Sequence, residues 1–486
     1  MTMLGREPWH WTEAVRRKCD RISAGHKPTV FDMFSGCGGF SLGFQRAGFN
    51  ILGGIDIDPE AAASHETNFR GVALPRKLED CGAYARDITS VQPLDLTGLF
   101  GPDDGVDAVD VLIGGPPCQS YARVGRAKLR EIADKPDAYK VDPRGSLYLR
   151  YIEYVRRLAP LVIVMENVPD VLNYGGHNIA EETANVLEDV GYECRYTLLN
   201  AVYYGVPQMR ERMFLIAYHR LLQTDVRFPE PTHCLELPRG YLGTRQVALR
   251  RDQPPHYLSP PSTRPELEPA VTTKEALADL PRITDHREGG YPPRNLRLGA
   301  TRQYREGQPN AYGRQMRYWP GFESTEVTCH VTRRLPRDYR IFEQMKPGDE
   351  YPQALELAKR LFEQHVEQLR RAGQNPGDVE LDEVRRKFVP PYDAGKFPNK
   401  WRKMEADQPA RTVMAHLGKD SYSHIHFDST QARTISVREA ARLQSFPDGF
   451  VFAGAMNAAF RQIGNAVPPL LAWRIAEKIM ADALRS

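Results

Sequence analysis

A thiol stands on a stiff loop directly behind an apolar run in the first third of the chain. Residues 114–122 read GGPPCQSYA and place Cys118 after Pro116 and Pro117. Prolines fix their own φ angles and restrict the residues before them, so the thiol would be held without help from secondary structure. Such a thiol suits nucleophilic catalysis, whereas a lone cysteine is more often buried and inert. Both interpretations stay open at this point.

Two further polar clusters lie at the ends of apolar runs. Glu166 and Asn167 close one of them, and a carboxyl group in a partly dry cleft there would have a raised pKa and could deliver a proton near neutral pH. A helix-capping pair is the alternative. In QMRER, the alternation of Gln208, Arg210 and Arg212 puts the three side chains on one side of a strand. Two guanidiniums and an amide suit a planar polar ligand or phosphate groups.

A glycine-rich turn comes earlier, in FDMFSGCGGFSLGFQRAGF (31–49). A strand is expected to end at Phe34, and Gly36, Gly38 and Gly39 would let the backbone turn tightly and approach a ligand before a helix begins. The spacing lacks the third glycine of the dinucleotide-binding fingerprint, so a purely structural turn is the alternative.

Acidic residues follow the next two strands. Asp56 lies about 20 residues beyond the glycine turn, where a ribose hydroxyl pair is held in nucleotide-binding folds. Asp58 could serve there as well, or could cap a helix that starts at Pro59. Asp87, in RDIT, could reach an adenine amino group.

The elements that would position these residues alternate along residues 29–217. Apolar, β-branched segments predict six strands, and SLYLRYIEYVRRL (146–158) has the spacing of a helix laid on a sheet; the strand segments are TVFDMF, ILGGIDI, VDVLIGG, LVIVMENV, YECRYTLL and RMFLIAY. This pattern predicts an α/β domain with a doubly wound, mostly parallel sheet. Ligands bind outside the carboxyl ends of such strands, so the thiol, the carboxyl and the glycine turn would share one crevice.

Composition excludes several classes of protein. Of the 486 residues, 41% are hydrophobic and 26% charged, no run is long enough to cross a membrane, and no secretory signal is present, so we expect a soluble cytoplasmic protein. Seven scattered cysteines without a Cys-x-x-Cys pair argue against disulfides and against a zinc ribbon, and no metal site is predicted. The net charge of +3 permits an anionic partner without requiring one.

The second half of the chain is less regular. Proline-rich sequence after Phe228 indicates a domain boundary, and residues 353–373 form the one clear helix before regular patterns return beyond Ala410. A closing helix is predicted over 470–484.

Six segments together resemble the motifs of the cytosine carbon-5 DNA methyltransferases: FDMFSGCGG, GGPPCQS, ENVPD, QMRER, RTISVREAARLQSFPD and QIGNAVPP, in that order. The resemblance implies a Rossmann-like, S-adenosylmethionine-dependent methyltransferase sheet with a second, smaller and irregular target-recognition domain. It divides the chain into four segments: an N-terminal extension (1–28), a catalytic domain (29–228), a target-recognition domain (229–404) and C-terminal motifs that complete the catalytic domain (405–486). The extension carries Trp9 and Trp11, and we expect a short helix packed on the large domain rather than an oligomer contact.

The resemblance also implies a mechanism. The Cys118 thiolate would add to carbon 6 of cytosine while Glu166 protonates or hydrogen-bonds ring nitrogen 3 and the exocyclic amine. Arg212 would bind the base oxygen, supported by Arg210 and Gln208. Carbon 5 would then accept a methyl group from S-adenosylmethionine. Residues implied to bind this cofactor are Phe34, Gly36, Gly38, Gly39, Asp56, Ile57, Asp87, Ile88, Pro117, Asn465 and Val467.

The implied partner is double-stranded DNA, from which the target base must be flipped. The stretch RRKFVPPYDAGKFPNKWRK (385–403) interleaves cations with aromatic side chains, as a phosphate-contacting segment does, although a solvated basic loop is the alternative. We expect the protein to act as a monomer on DNA and not to associate with a membrane. It would be either the modification enzyme that pairs functionally with a restriction endonuclease or a solitary methylase.

Three other functions remain. Transfer RNA is the substrate of one branch with the same motifs, but the long insert after QMRER favours DNA. A nucleotide-dependent oxidoreductase would have a similar glycine turn and no use for Cys118. A silent DNA-binding homologue would not need Cys118, Glu166 and Arg212 together.

Overall fold

The structure is a computed structural model that describes residues 9–70, 85–91, 107–117, 146–238, 241, 254–287, 298–419 and 422–484. Within these ranges, no helix is both long and apolar enough to cross a membrane.

A six-stranded sheet forms the centre of the first half of the chain. Its strands are β1 (Thr29–Met33), β2 (Asn50–Ile55), β3 (Val111–Gly114), β4 (Val162–Asn167), β5 (Tyr192–Asn200) and β7 (Glu211–His219), with β6 (Gln208–Met209) as a short strand before β7. The order is β2-β1-β3-β4-β7-β5. β7 runs antiparallel to both of its neighbours, and the other strands are parallel. The six predicted strands are therefore confirmed, and so is the mostly parallel α/β fold.

These strands could be predicted because they are buried along most of their length and therefore appear in the sequence as continuous apolar runs. Every residue of β1 and β3 is buried, as expected of parallel strands covered on both faces. Helices accompany the sheet: α1 (Trp9–Ser23), α2 (Gly39–Arg46), α3 (Pro59–Arg70), α4 (Ser146–Leu158) and α5 (Ile179–Asp189). The bounds of α4 are those predicted. Short 3-10 helices occupy Pro169–Asn173, Ala201–Tyr204, Arg220–Leu222 and Asp285–Arg287.

The N-terminal extension is held on the sheet domain by a buried lysine. Lys18 of α1 donates to the carbonyls of Val109 at 2.7 Å, Leu158 at 2.7 Å and Ala159 at 2.9 Å. Two of these carbonyls terminate α4, where a cation is favourable. Burial lowers the pKa of Lys18 to about 7. The predicted helix packed on the large domain is confirmed.

The last helix of the chain packs on α2, the helix that follows the glycine turn. Here α12 (Met456–Asn465) precedes α13 (Pro469–Ile479), which ends in a π-helical turn at Met480–Leu484. α13 lies on α2 so closely that a Cβ at Gly43 would stand 2.4 Å from both the Ala472 Cβ and the Trp473 nitrogen. Only glycine fits at this crossing.

Contacts divide the chain into two compact units. The first unit holds the described residues up to Ala270, with Val451–Ala453 and the residues from Ala466 onward; the second holds Val271–Phe450 and Gly454–Asn465. Residues 229–270 stay with the first unit because β8 (His233–Cys234) pairs with β9 (Glu268–Pro269) there. This division differs from the domain boundaries at 228 and 404, which stay a prediction.

The second unit is built from short elements around an aromatic cluster. Its helices are α6 (Thr273–Leu277), α7 (Ala311–Arg317), α8 (Tyr339–Gln344), α9 (Tyr351–Arg371), α10 (Asp378–Phe388), α11 (Val437–Leu443) and α12; its strands are β10 (Trp401–Lys403), β11 (Ala410–Arg411) and β12 (Tyr422–Ile425). Trp401 is fully buried, with the rings of Phe342, Tyr351 and Tyr422 centred 5.0–5.4 Å from its own. The predicted helix at 353–373 lies two residues earlier, at α9, and α10 was not predicted.

Candidate active site

The glycine turn leaves β1 through a run of left-handed backbone. Phe34, Gly36 and Gly38 have φ of 60°, 52° and 99°. A Cβ at Gly38 would lie 2.3 Å from the Phe69 ring, whereas one at Gly36 would meet nothing within 4 Å. The turn is thus packed against α3 at Gly38 and open at Gly36, and Gly39 begins α2. An open glycine backbone permits close approach of a ligand.

Asp56 ties this turn to the end of β2. Its carboxylate accepts from the Gly36 N–H at 2.9 Å and from the Asp58 N–H at 2.8 Å. Burial raises the pKa of Asp56. Asp58 instead accepts from the Glu60 N–H at 3.1 Å, at the start of α3. Of the two roles open to Asp58, the structure shows the helix cap.

An exposed isoleucine stands beside Asp56. Ile57 is 70% exposed, an unusual exposure for a large apolar side chain. Asp56 bridges to Ala85 and its carbonyl accepts from the Arg86 N–H at 2.9 Å, which brings Asp87 next to this edge. The Asp87 carboxylate accepts from the Thr89 N–H and hydroxyl, both at 2.8 Å. Ile88 is buried in the core of the first unit, so of the two isoleucines only Ile57 offers a broad exposed face.

A buried hydrogen-bond chain lies beneath the turn. The Ser41 hydroxyl donates to Asp32 Oδ2 at 2.6 Å, and His65 Nε2 lies 3.1 Å from the same hydroxyl. Burial raises the pKa of Asp32 to about 7 and lowers that of His65 to about 3. β1, α2 and α3 are joined by this chain, which sequence reasoning missed.

The proline loop begins at the adjacent strand end. Gly114 is the register partner of Met33, so the residues after it start beside the glycine turn. The Asn167 amide donates to the Pro116 carbonyl at 2.8 Å, and a Cβ at Gly115 would lie 3.2 Å from Glu166 Oε2. Pro117 is exposed, and Cys118 lies outside the described residues. Asn167 therefore holds the backbone two residues before the thiol, rather than capping a helix.

Glu166 and Arg212 form an ion pair at the end of β4. Arg212 Nε lies 3.0 Å from Glu166 Oε1, with both side chains largely buried. Burial raises the pKa of Glu166 although Arg212 and Arg210 oppose the shift. Arg210 and Gln208 are buried on the same segment, but so are the intervening Met209 and Glu211, so burial does not test the predicted alternation. The site thus offers a carboxyl group with raised proton affinity beside two guanidiniums.

Comparison with known proteins identifies the family of the chain. A family model of C-5 cytosine-specific DNA methylases matches residues 29–481. The chain belongs to this family. It is accordingly a DNA (cytosine-5-)-methyltransferase, in agreement with the motif resemblance.

Two relatives match the methylase chain over most of their length. A protein of Oceanobacillus iheyensis designated M.OihORF3336P is 38% identical over 454 residues, covering 93% of this chain and 95% of that protein. The type II methyltransferase M.AgeI of Thalassovita gelatinovora is 30% identical over 471 residues, covering 93% and 98%. A crystal structure of a prophage-encoded Escherichia coli protein superposes with a TM-score of 0.57 at 21% identity, covering 94% and 99%, and supports the fold alone.

The last motif of the methylase chain is divided between the two units. Asn465 ends α12 in the second unit and is exposed, whereas Val467 is buried in the first unit just before α13. The N-terminal helix α1 lies outside the matched residues. The structural contact made by Lys18 was missed in the sequence; the available signal was its position three residues after the buried Val15 on α1.

Proposed function

We propose that the chain methylates carbon 5 of a flipped cytosine in duplex DNA through a covalent bond to Cys118, with S-adenosylmethionine as methyl donor. The Glu166–Arg212 pair carries the proposal, because it sets a proton-holding carboxyl and a guanidinium beside the loop that leads to the thiol.

Cys118 would solve the central difficulty of the reaction. Carbon 5 of cytosine is a poor nucleophile, and addition of a thiolate to carbon 6 makes it electron-rich. The new sulfur–carbon bond forms as the ring nitrogen takes a proton. After methylation the ring nitrogen gives its proton back, and loss of the carbon 5 proton with breakage of the sulfur–carbon bond restores the aromatic ring and releases the thiolate. This is nucleophilic catalysis, in which one hard step becomes two easier ones.

Glu166 and Arg212 would recognise the edge of the pyrimidine and move its proton. A carboxyl with a raised pKa stays protonated at higher pH and can donate to ring nitrogen 3. Arg212 remains cationic and can donate to the base oxygen. Its own pairing with Glu166 at 3.0 Å orients both groups.

The first unit has residues that fit S-adenosylmethionine. When bound, this cofactor supplies a methyl group on a sulfonium centre. Asp56 is partly buried and already oriented by two N–H donors, and each carboxylate oxygen retains a second lone pair for a ribose hydroxyl. Ile57 presents an exposed aliphatic face for the adenine, with Asp87 next to it. Gly36 leaves the backbone open on the same side.

Duplex DNA is the proposed substrate, and a type II restriction endonuclease the proposed functional partner. The family match and the similarity to M.AgeI support both. The irregular second unit would supply the reading surface that a duplex sequence requires.

The test is a trapping experiment. Duplex DNA from a mixed-sequence library carrying 5-fluorocytosine is incubated with the chain and cofactor, and a stable protein–DNA adduct should form at Cys118. Cys118→Ser should lose both the adduct and methyl transfer, by at least about three orders of magnitude, and keep cofactor binding. Transfer of methyl groups to transfer RNA alone, or normal turnover by Cys118→Ser, would contradict the proposal. Bisulfite sequencing of DNA from expressing cells identifies the target sequence.

A further inference from the structure

Basic charge is concentrated in one short segment of the second unit. Residues 385–403 contain seven basic side chains and one acidic side chain, a net charge of +6, whereas the whole chain has +3. The rest of the chain is therefore net negative. A local cluster of this kind, rather than the total charge, indicates contact with a polyanion.

Burial and pairing separate these cations into two groups. Arg402 is paired with Glu350 at 2.7 Å and Glu405 at 2.9 Å, and Lys403 is buried against the Phe342 carbonyl at 2.6 Å. Arg385, Arg386, Lys387 and Lys396 are exposed, and within the described ranges no carboxylate lies in ion-pair distance of them. These four cations therefore have no ion pair within the described residues, although α10 also carries carboxylates in its first two turns.

Exposed cations elsewhere in the same unit are only partly paired. On α9, Lys359 is paired with Glu356 at 2.9 Å and Arg371 with Glu367 at 2.5 Å, whereas Arg360 and Arg370 are exposed and have no ion pair within the described residues. The 385–396 surface is therefore distinguished by the density of its cations, since Arg385, Arg386 and Lys387 are consecutive.

An exposed aromatic ring follows Lys396 in the same segment. Phe397 is 52% exposed, and the Lys400 ammonium lies 5.7 Å from its ring centroid and 3.8 Å from that of Tyr392. Exposing this ring to water is unfavourable. A cation and a flat apolar face side by side fit nucleic acid, which offers phosphates and bases together.

The loop that carries Phe397 is preorganised. The Tyr351 hydroxyl donates to the Tyr392 carbonyl at 3.0 Å, and the Tyr351 N–H donates to the Pro398 carbonyl at 3.2 Å. The Asp393 carboxylate accepts from the Gly395 N–H at 2.7 Å, and the Phe397 N–H donates to the Asp393 carbonyl at 3.0 Å. Little conformational entropy would be lost when the ring contacts a partner.

We propose that Arg385–Lys387 and Lys396 bind the phosphates of the DNA substrate while Phe397 packs against its bases as an apolar wedge. The proposal rests on the function proposed above and names the surface that serves it. Phosphate contacts of this kind are independent of sequence, so the surface would position the duplex rather than read it.

The experiment measures binding of the full chain to a fluorescent mixed-sequence duplex over a range of salt concentrations. Replacing Arg385, Arg386 and Lys387 together by Gln should reduce the slope of log affinity against log salt by about 2 to 3. Phe397→Ala should weaken binding about tenfold and leave the salt slope unchanged. All four positions are exposed or partly exposed, so folding should be preserved.

Matched controls lie on α10 itself and on the preceding helix α9. Val379→Ala removes a side chain that is 76% exposed, at the acidic start of α10, and should leave affinity unchanged. Lys359→Gln with Arg371→Gln removes two exposed cations that are already paired, and should change the salt slope far less than the triple variant does.

The outcomes separate this surface from the proposed function. An unchanged salt slope in the triple variant, or unchanged affinity in Phe397→Ala, overturns the corresponding half of the proposal even when the unaltered chain methylates DNA. Loss of transfer RNA binding with DNA binding retained assigns the surface to RNA and overturns it as well. Conversely, DNA binding through this surface without methyl transfer would refute the proposed function alone.

Discussion

Replacement of Asn167 by Ala should slow methyl transfer without weakening cofactor binding. The Asn167 amide donates to the Pro116 carbonyl at 2.8 Å, and its oxygen accepts from the Val168 N–H at 2.9 Å, in a side chain that is 8% exposed. Alanine leaves the buried Pro116 carbonyl and the partly buried Val168 N–H without these partners, at about 1 to 3 kcal/mol for a fully buried group.

The size of the rate loss depends on how much of this energy is lost at the reacting geometry. A cost of about 1.4 kcal/mol at the reacting geometry is a tenfold loss of rate. If the proline loop shifts to relieve the unpaired Pro116 carbonyl, kcat should fall about 10- to 100-fold, because a displacement of about 1 Å is sufficient for a loss of this size. KM for S-adenosylmethionine should stay within about twofold, because Asn167 is not among the residues proposed to bind the cofactor.

Two further variants show which atom matters. Asn167→Asp keeps the acceptor for the Val168 N–H but loses the donor to the Pro116 carbonyl, so its kcat should fall at least as far as that of Asn167→Ala. Asn185→Ala removes an amide that donates to the Glu181 carbonyl at 2.6 Å within α5, and should leave kcat unchanged.

The assay is single-turnover methyl transfer, combined with the rate of adduct formation on 5-fluorocytosine DNA and a thermal melt. A lowered melting temperature with kcat unchanged would mean that the Asn167 bond stabilises the fold only, and the reasoning about the loop would be wrong.

Three further predictions concern proton transfer, the cofactor turn and stability. Because burial raises the pKa of Glu166 and its protonated form is the proposed proton donor, kcat/KM should fall as pH rises through that pKa; Glu166→Gln, which cannot ionise, should lose this limb of the pH–rate profile. Ser41→Ala removes the donor to Asp32 beneath the glycine turn and should raise the cofactor Kd about tenfold by calorimetry, with kcat at saturation retained; unchanged affinity would make the buried chain purely structural. Arg442→Met leaves Asp448 buried without its 2.6 Å partner and should lower the free energy of unfolding by about 3 to 5 kcal/mol in denaturant titrations, and a loss below about 1 kcal/mol would show that the pair is not needed.

The sheet could be predicted from the sequence because its strands are continuous apolar runs. β3 and β4 are buried along nearly their whole length, and each leads into a polar motif that marks its carboxyl end. The antiparallel insertion of β7 between β4 and β5 could not be predicted, because strand order depends on pairing and not on local pattern.

The helix α10 was missed for a different reason. The basic stretch was taken to begin at Arg385, which cuts the helix before its last turn. The signal was an acidic first turn at Asp378 and Glu380 followed by a basic last turn, which matches the helix dipole. No residue of α10 is buried, so there was no apolar stripe to find.

For the candidate site, the charged residues could be predicted and their supports could not. Glu166 and Arg212 lie 46 positions apart in the sequence; the family resemblance implied that both contact the base, but their 3.0 Å pairing was not predicted. The bonds from Asn167 to the Pro116 carbonyl and from Ser41 to Asp32 have no sequence pattern, because an amide or a hydroxyl can bond to whatever the fold brings to it.

Motifs that identify the family together need not share one physical role. In RTISVREAARLQSFPD, Arg433 is paired with Glu439 through two bonds of 2.6 and 2.7 Å, and Arg442 with Asp448, all buried within the second unit. A buried charge requires its partner at one distance and one angle, so such a pair restricts residue type as strongly as chemistry does. Sequence resemblance alone cannot separate these arginines from Arg212, and each of the three is paired with a carboxylate; what distinguishes Arg212 is that its partner Glu166 lies beside the proline loop.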